Sequence, residues 1–360
     1  MKVLIACGGT GGHIFPGLSL YDAFKKREKV ADILLAVDKR EISSFLVPEN
    51  YRRIYICLVP IRFNFNLHSL TIVLKLLRGI FQSAAVLIKF KPDVVIGFGG
   101  YASFFIVFFA GLLGIKTLIH EPNVVPGRAN LLLTYFADKI ACGFAHTKEH
   151  FGRNSFKVEV TGNPLRPSLI RTERKRACEF FGLQPDKFTI LVMGGSQGAH
   201  KINTVFIEAV NLIEDKSGFQ VIHLCGRQDY PFLKNSYRNS GIRAEVFPFF
   251  TQMQYPYSAA DMVISRAGAI TITEIAFFGL PAVLIPYPYV RGHQLENARH
   301  LSQNFAAVVI EEESLNPEIL NGKILELFNN PALRRSMGKN ISKFSKLRAD
   351  EVLADLALNV

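Results

Sequence analysis

Cysteine is scarce and unpaired in this 360-residue chain: Cys7, Cys57, Cys142, Cys178 and Cys225 are scattered, with no Cys-x-x-Cys pair. An odd, dispersed set suits a reducing cytosol, where most of them act as small buried apolar groups. No His, Cys or Asp cluster has zinc spacing and no Asp-x-Asp occurs anywhere, so neither a metal site nor a metal cofactor is indicated. The first residues carry one Lys and run straight into glycines, without a signal-peptide cleavage pattern. Acidic residues are short in one half only. Residues 1–166 hold 21 Lys+Arg against 11 Asp+Glu, whereas residues 167–360 hold 21 against 19. The amino-terminal half therefore carries nearly all of the net charge of +12 and should attract an anionic partner. Aromatic interleaving and any recognised nucleic-acid module are missing, so nucleic acid is not that partner.

What is present is enough apolar residue, 49%, for packed interiors, and enough length for two of them. The longest charge-free stretch, Val94 to Ile115, reaches the length of a membrane span. Gly97, Gly99, Gly100, Gly111 and Gly114 punctuate it, which fits a short strand, a tight loop and a buried helix in a soluble domain. Phe104 to Phe109 is apolar all round, so that helix is either fully buried or has one face against lipid.

Along the chain, apolar strands alternate with helical patterns. Val3–Cys7 leads through a glycine loop to a helix expected over Gly17–Lys26, and Ile33–Val37, Val94–Ile96, Lys116–His120, Ile140–Cys142 and Lys157–Val160 follow as strands. After a linker near Asn163–Arg171 the pattern restarts at Phe188–Met193. It continues through Gln220–Cys225, Ala244–Phe247, Met262–Ser265, Ala282–Ile285 and Ala307–Ile310. Such alternation means an α/β fold: two Rossmann-like domains with parallel sheets, facing across a cleft. The expected boundaries are residues 1–163 and 164–343, with a helix in 344–360 packing back on the first domain.

Three loops carry chemistry. Gly8-Gly9-Thr10-Gly11-Gly12-His13 lets backbone approach a ligand and leads to a helix N-terminus that favours an anion. It lacks the Gly-Lys-Ser/Thr of a Walker loop, and Ile14 stands where a dinucleotide fingerprint needs its last glycine. Asp38 could mimic the ribose-binding acid of such a fold, but it lies too far past the loop. Gly194-Gly195-Ser196-Gln197-Gly198-Ala199 repeats the arrangement in the second domain, where Ser196 can donate to a phosphate and Gln197 can bridge ligand groups. The third, Ser265 to Glu274, follows a strand. Its Glu274 either accepts from a ribose diol or belongs to a capping box with Thr271. His293 and Gln294 in a later loop are candidates for sugar hydroxyls.

Taken together with Phe15-Pro16-Gly17, His120-Glu121 with Asn123, and Thr161-Gly162-Asn163-Pro164 with Arg166, these motifs resemble the MurG family over about residues 2–350. The resemblance implies an inverting glycosyltransferase of the two-Rossmann GT-B fold, moving N-acetylglucosamine from UDP-N-acetylglucosamine to O4 of the N-acetylmuramoyl group of undecaprenyl-pyrophosphoryl-muramoyl-pentapeptide (lipid I). On the donor side it points to Arg166, Ser196, Gln197, Phe250, Ala269, Ile270, Thr271, Glu274, His293 and Gln294. On the acceptor side it points to Thr10, Gly11, Gly12, Gly99, Gly100, Tyr101, Glu121, Asn123 and Asn130. His13 is its candidate base, with binding of the acceptor diphosphate as the rival role. The family works without a cofactor, peripherally on the cytoplasmic face of the cell membrane, with anionic lipid and other cell-wall synthesis proteins as partners. Three positions depart from its pattern: Pro122 replaces a glutamine, Ser103-Phe104-Phe105 replaces Ser-Gly-Pro, and Arg291-Gly292 precedes the His-Gln pair in place of an acid.

The span Asn66–Phe90, long apolar groups broken by Lys75 and Arg78, reads either as an ordinary core helix or as a surface for acidic lipid heads. Two other readings share the class or the fold: a different lipid-linked UDP-sugar transferase, and a UDP-N-acetylglucosamine 2-epimerase that needs no acceptor.

Overall fold

The computed structural model describes residues 1–39, 46–57, 68–195, 198–288 and 292–360. The chain divides into two compact units: unit 1 is Met1–Pro167 with Lys346–Val360, and unit 2 is Ser168–Ser345. Each is built on one parallel sheet.

Unit 1 contains β1 (Lys2–Cys7), β2 (Asp32–Asp38), β3 (Arg53–Ile56), β4 (Val94–Gly97), β5 (Lys116–Glu121), β6 (Lys139–Cys142) and β7 (Val158–Val160), in the spatial order β3-β2-β1-β4-β5-β6-β7. Unit 2 contains β8 (Phe188–Met193), β9 (Phe219–Leu224), β10 (Arg243–Phe247), β11 (Met262–Ser265), β12 (Ala282–Leu284) and β13 (Val308–Val309), in the order β10-β9-β8-β11-β12-β13. The central strands are apolar on both faces; Val3, Leu4, Ile5 and Ala6 are completely buried, as are Val94, Val95 and Ile96. Such strands need helices on either side. Strand order reverses between β1 and β4 and again between β8 and β11, which opens a crevice at the carboxyl ends of those strands in each unit. Register keeps the ends level. Cys7 stands opposite Val37 and Ala6 opposite Gly97 in one sheet, and Met193 pairs with both Leu224 and Ser265 in the other.

The first helix runs Gly11–Lys25 and starts six residues before the expected Gly17. Thr10 is its N-cap residue, and the Thr10 carbonyl accepts from the amides of His13 and Ile14. Pro16 lies inside the helix, in its second turn, where it removes the N–H that would reach the Gly12 carbonyl and its ring crowds that carbonyl. His13 is therefore a first-turn helical residue. β3 was not expected: Arg53-Ile54-Tyr55-Ile56 is an edge strand whose exposed groups mask its pattern.

The charge-free stretch resolves into β4, a glycine turn and the helix Tyr101–Leu112, closed by Gly114 at φ +70°. Ala102, Ile106, Val107 and Ala110 pack into the core, whereas Phe104, Phe105, Phe108 and Phe109 are only partly covered. Among the described residues no helix is long and apolar enough to cross a membrane. The helix His68–Phe90 sets Val86, Leu87 and Phe90 into the same core.

Unit 1 is completed by a returning segment. The helix Ala349–Leu358 buries Leu353, Ala354, Leu356 and Ala357 and lies against Gly11–Lys25, with Asp355 paired to Arg27 at 2.7 Å.

Candidate active site

In unit 1, the loop after β1 and the loop after β4 meet at the strand-order reversal. The first loop carries Thr10, Gly11, Gly12 and His13 and the second Gly99, Gly100 and Tyr101, and Gly8 and His13 lie against Gly99 and Gly100. The His13 ring lies over glycine backbone: a Cβ added to Gly8 would fall 2.5 Å from His13 Nδ1, and one added to Gly99 would fall 3.1 Å from Nε2. Thr10 Oγ1 sits 3.2 Å from His13 Nδ1. The amides of Gly11 and Gly12 head the helix, where no intrahelical acceptor exists for them and the dipole favours an anion.

Behind this loop stands His120, at the end of β5. Its Nε2 lies 3.1 Å from the Gly162 carbonyl and its ring centroid 5.2 Å from that of Phe98. Nδ1 has no hydrogen-bond partner among the described residues. Burial, reinforced by the charge of His13, lowers the His120 pKa to about 4. The ring is neutral at neutral pH, so Nε2–H donates and fixes the Thr161–Pro164 turn. Asn163 hooks the same turn from the other side, its Nδ2 donating to the Pro122 carbonyl at 3.2 Å. Pro122 therefore serves through a main-chain oxygen that any residue supplies, and the glutamine side chain of the family pattern is not needed for it.

Glu121 and Asn130 correct an expectation. Both were assigned to an acceptor, yet they are 1% and 6% exposed and bind each other. Glu121 Oε1 accepts from the amide of Asn123 at 2.9 Å and from its Nδ2 at 3.0 Å. Oε2 accepts from the Gly127 amide at 3.0 Å and from Asn130 Nδ2 at 2.8 Å. With both oxygens doubly engaged, the carboxylate organises the loop 122–127. Asn123 is half-buried and joins the same loop, its carbonyl accepting from Thr147 Oγ1.

In unit 2, the crevice at the β8–β11 reversal is bordered by the Gly194–Ala199 loop and by the helix Ala269–Phe278. Ser196 and Gln197 lie outside the described residues, as does Arg291. Gly198, at φ +79°, packs its Cα side against the Cys225 carbonyl, leaving no space for a Cβ. That carbonyl is gripped from behind by a buried chain the sequence did not reveal. Asn203 Nδ2 donates to Cys225 O at 2.8 Å and to Asp229 Oδ2 at 2.7 Å, while Asn203 Oδ1 lies 3.0 Å from His223 Nε2. Tyr237 Oη, 2.8 Å from His223 Nδ1, completes it. Burial lowers the His223 pKa to about 3, so this histidine also stays neutral.

Gly268 is the N-cap residue of the Ala269–Phe278 helix, so Ala269, Ile270 and Thr271 form its first turn and Thr271 caps nothing. Glu274 lies one turn further on, 2% exposed, with Tyr257 Oη donating to Oε2 at 2.9 Å. The capping-box reading is thus replaced by a carboxylate fixed in the helix interior. Gln294 departs from expectation in part: its side-chain oxygen accepts from the amides of Ala267 at 3.2 Å and Tyr287 at 3.0 Å, tying the turn that precedes the helix. His293 begins the helix His293–Gln303 after Gly292 at φ +72°. Phe250 packs in an aromatic group with Phe247 and Phe181, their centroids 5.0 and 5.5 Å away. Arg166 falls within unit 1, its guanidinium 4.2 Å above the Phe15 ring.

Comparison with known proteins adds to this geometry. Residues 3–142 match the glycosyltransferase family 28 N-terminal domain and residues 189–352 its C-terminal domain. The chain is 38% identical over 363 residues to a protein of Thermodesulfovibrio yellowstonii named UDP-N-acetylglucosamine–N-acetylmuramyl-(pentapeptide) pyrophosphoryl-undecaprenol N-acetylglucosamine transferase, covering 99% of this chain and 98% of that one. A protein of the same name from Halothermothrix orenii is 38% identical over 367 residues, with coverages of 99% and 98%. Among solved structures, that of Acinetobacter baumannii MurG superposes with a TM-score of 0.78 at 29% identity, covering 100% of this chain and 99% of that one. A UDP-N-acetylglucosamine 2-epimerase from Neisseria meningitidis shares the fold at 16% identity, TM-score 0.71, with 100% of each chain covered.

Proposed function

The chain belongs to the MurG family of UDP-N-acetylglucosamine–N-acetylmuramyl-(pentapeptide) pyrophosphoryl-undecaprenol N-acetylglucosamine transferases, and from that premise we infer how its two crevices divide the work. It transfers N-acetylglucosamine from UDP-N-acetylglucosamine to the lipid-linked muramoyl-pentapeptide, giving lipid II and UDP. The observation that carries the division is that each sheet ends, at its strand-order reversal, in a glycine loop and a helix N-terminus suited to a phosphate.

Unit 2 holds the donor. The first turn Ala269–Thr271 offers its amides to the diphosphate, and the family pattern adds Ser196 for the diphosphate and Gln197 for sugar and nucleotide. The Phe250 backbone reads uracil, Glu274 the ribose hydroxyls, and His293 with the Gln294 amide the sugar. Unit 1 holds the acceptor, its diphosphate on the Gly11–Gly12 amides and the Gly99–Tyr101 turn.

In the transfer the acceptor O4 attacks the anomeric carbon opposite the departing UDP. The O4–C1 bond forms, the C1–O bond to the diphosphate breaks and UDP leaves with the electron pair. His13 takes the proton from O4. Charge developing on the diphosphate is stabilised by the oriented amides of the helix start, an electrostatic contribution.

Unit 1 also carries the membrane contact. Leu77, Phe81 and Ile88 fall within about 40° of one another around the helix His68–Phe90. Phe81 and Ile88 are 73% and 66% exposed, and Arg78 and Lys89, both exposed, flank them on one side of the helix. Elsewhere in unit 1, Leu112, Leu113, Leu132 and Tyr135 are also exposed. An exposed apolar face with cations at its rim suits peripheral attachment to an anionic cytoplasmic leaflet.

The deciding assay follows radiolabel from UDP-N-acetylglucosamine into lipid-linked acceptor, with EDTA present. Label reaching the lipid confirms the reading. Epimerised sugar nucleotide without added acceptor would replace it with the epimerase reaction, and transfer from UDP-glucose instead would change the donor. For attachment, Phe81→Glu with Ile88→Glu should abolish co-sedimentation with phosphatidylglycerol vesicles at low salt; retained binding would sink the surface.

A further inference from the structure

Asp38 ends β2 completely buried, and nothing in the transfer chemistry uses it. It is too distant to act as the acid of a dinucleotide fold, and its carboxylate is turned to the crevice instead. Oδ2 accepts from the Gly9 amide at 3.2 Å and Oδ1 from the Ala102 amide at 3.0 Å. Gly9 belongs to the loop after β1, Ala102 to the first turn of the helix after β4. One side chain therefore bridges two loops that are remote in sequence.

Between those two bonds the loops touch backbone to backbone. Gly100, at φ +86°, approaches so closely that an added Cβ would lie 2.5 Å from the Cα of Gly8. His13 rests on the same stretch of backbone, its ring against Gly8 and Gly99. A buried carboxylate is tolerated only with good donors, and the two amides supply them, one at a helix end whose dipole favours negative charge. These bonds also decide which amides an incoming anion can use. Gly9 and Ala102 are taken by Asp38, and the Gly99 amide donates to Ser103 Oγ at 3.2 Å. The first-turn amides of Gly11 and Gly12 have no intrahelical acceptor and are open to the acceptor diphosphate.

We propose that Asp38 is a positioning residue for the transfer: by holding Gly9 and Ala102 it sets the gap between the two glycine loops, and with it the seat of the His13 ring and of the Gly11–Gly12 amides. It touches no substrate. The inference rests on the acceptor reading of unit 1.

Wild-type transfer to the lipid acceptor is measured first; its absence would overturn that reading itself. With transfer established, Asp38→Asn removes the charge and sets an amide NH2 against one of the two backbone N–H groups. The expected result is a kcat lower by about 10-fold or more and a raised acceptor KM, because small displacements of reacting groups are costly. The KM for UDP-N-acetylglucosamine and the affinity for UDP stay within about 2-fold of wild type, since unit 2 is untouched. Gly100→Ala pries apart the same contact without altering charge. If both act through one gap, the double variant is no worse than the poorer single, to within about 2-fold. Multiplying effects, equal rises in donor and acceptor KM, or unchanged kcat and acceptor KM in Asp38→Asn would each overturn the proposal. Should Asp38→Asn fail to fold, Asp38→Ser, a smaller polar side chain that cannot span the two amides, takes its place in the same cycle.

Discussion

Replacing Glu121 by glutamine separates an anchor from a ligand. The carboxylate accepts four hydrogen bonds, two on each oxygen, from Asn123, Gly127 and Asn130. Whichever way the new amide is turned, its NH2 faces two donors. Two bonds to a charged group are lost, at roughly 1.5–3 kcal/mol each, and the other two weaken as the acceptor becomes neutral. Because the loop 122–127 is partly open and water can enter, the lower end applies: about 3 kcal/mol of unit 1 stability. That is a large share of the roughly 5–15 kcal/mol typical of a domain. For a unit of this size it corresponds to a fall in Tm of about 6–12 °C. The assay is thermal unfolding by near-ultraviolet circular dichroism, paired with kinetics on the folded fraction at 25 °C. The anchor reading expects the stability loss together with an unchanged donor KM. A Tm within about 2 °C of wild type, combined with a kcat about 100-fold lower, would refute it and return Glu121 to the acceptor.

Three further outcomes are expected. His13→Ala should lower kcat by about 100-fold or more if it takes the O4 proton, and equal activity at saturating donor and acceptor would remove it from that role. Glu274→Ala should raise the KM for UDP-N-acetylglucosamine by about 10-fold and leave the acceptor KM alone, because a lost ribose contact is lost binding; an unchanged donor KM removes Glu274 from the ribose. Stability should also fall as the solution is acidified below pH 6.5. The folded-state pKa of His120, about 4, lies below the ordinary histidine value, so between those values the unfolded chain binds more protons and stability rises with pH. At pH 5 the loss is about 2 kcal/mol for His120, and His223, at about 3, adds a similar loss in unit 2. Urea midpoints that do not move between pH 7 and pH 5 would contradict burial as the cause.

The fold was legible where strands are apolar on both faces. Phe188–Met193 and Met262–Ser265 have the bounds their composition suggests, because central parallel strands admit little else. β3 was not legible, since an edge strand reading Arg-Ile-Tyr-Ile is satisfied with half its side chains in water. The helix start at Gly11 was hidden by its glycines and by Pro16, which lies inside the helix although proline ordinarily marks a loop or a break. At the sites, the glycine loops were legible because close backbone approach limits residue choice. The partners of acids were not. Asp38 reaches Gly9 and Ala102, 29 and 64 residues away, and no local pattern encodes such a bridge. Glu121 misled differently: its partners are local, but whether a carboxylate turns inward or toward a ligand depends on the loop it folds.

The returning helix Ala349–Leu358 has a consequence for how the protein is made. Its partner, Gly11–Lys25, buries Ile14, Leu18, Leu20, Tyr21 and Phe24 and packs on both the sheet and the returning helix. The last piece of unit 1 leaves the ribosome only after the whole of Ser168–Ser345 has been translated. At about 5–20 residues per second that is a wait of roughly 10–35 s. During it the nascent unit 1 is incomplete and has an apolar groove open to chaperones or to another chain, while unit 2, continuous in sequence, can finish folding first. Unit 1 is the first begun in synthesis and the last to have its whole sequence available.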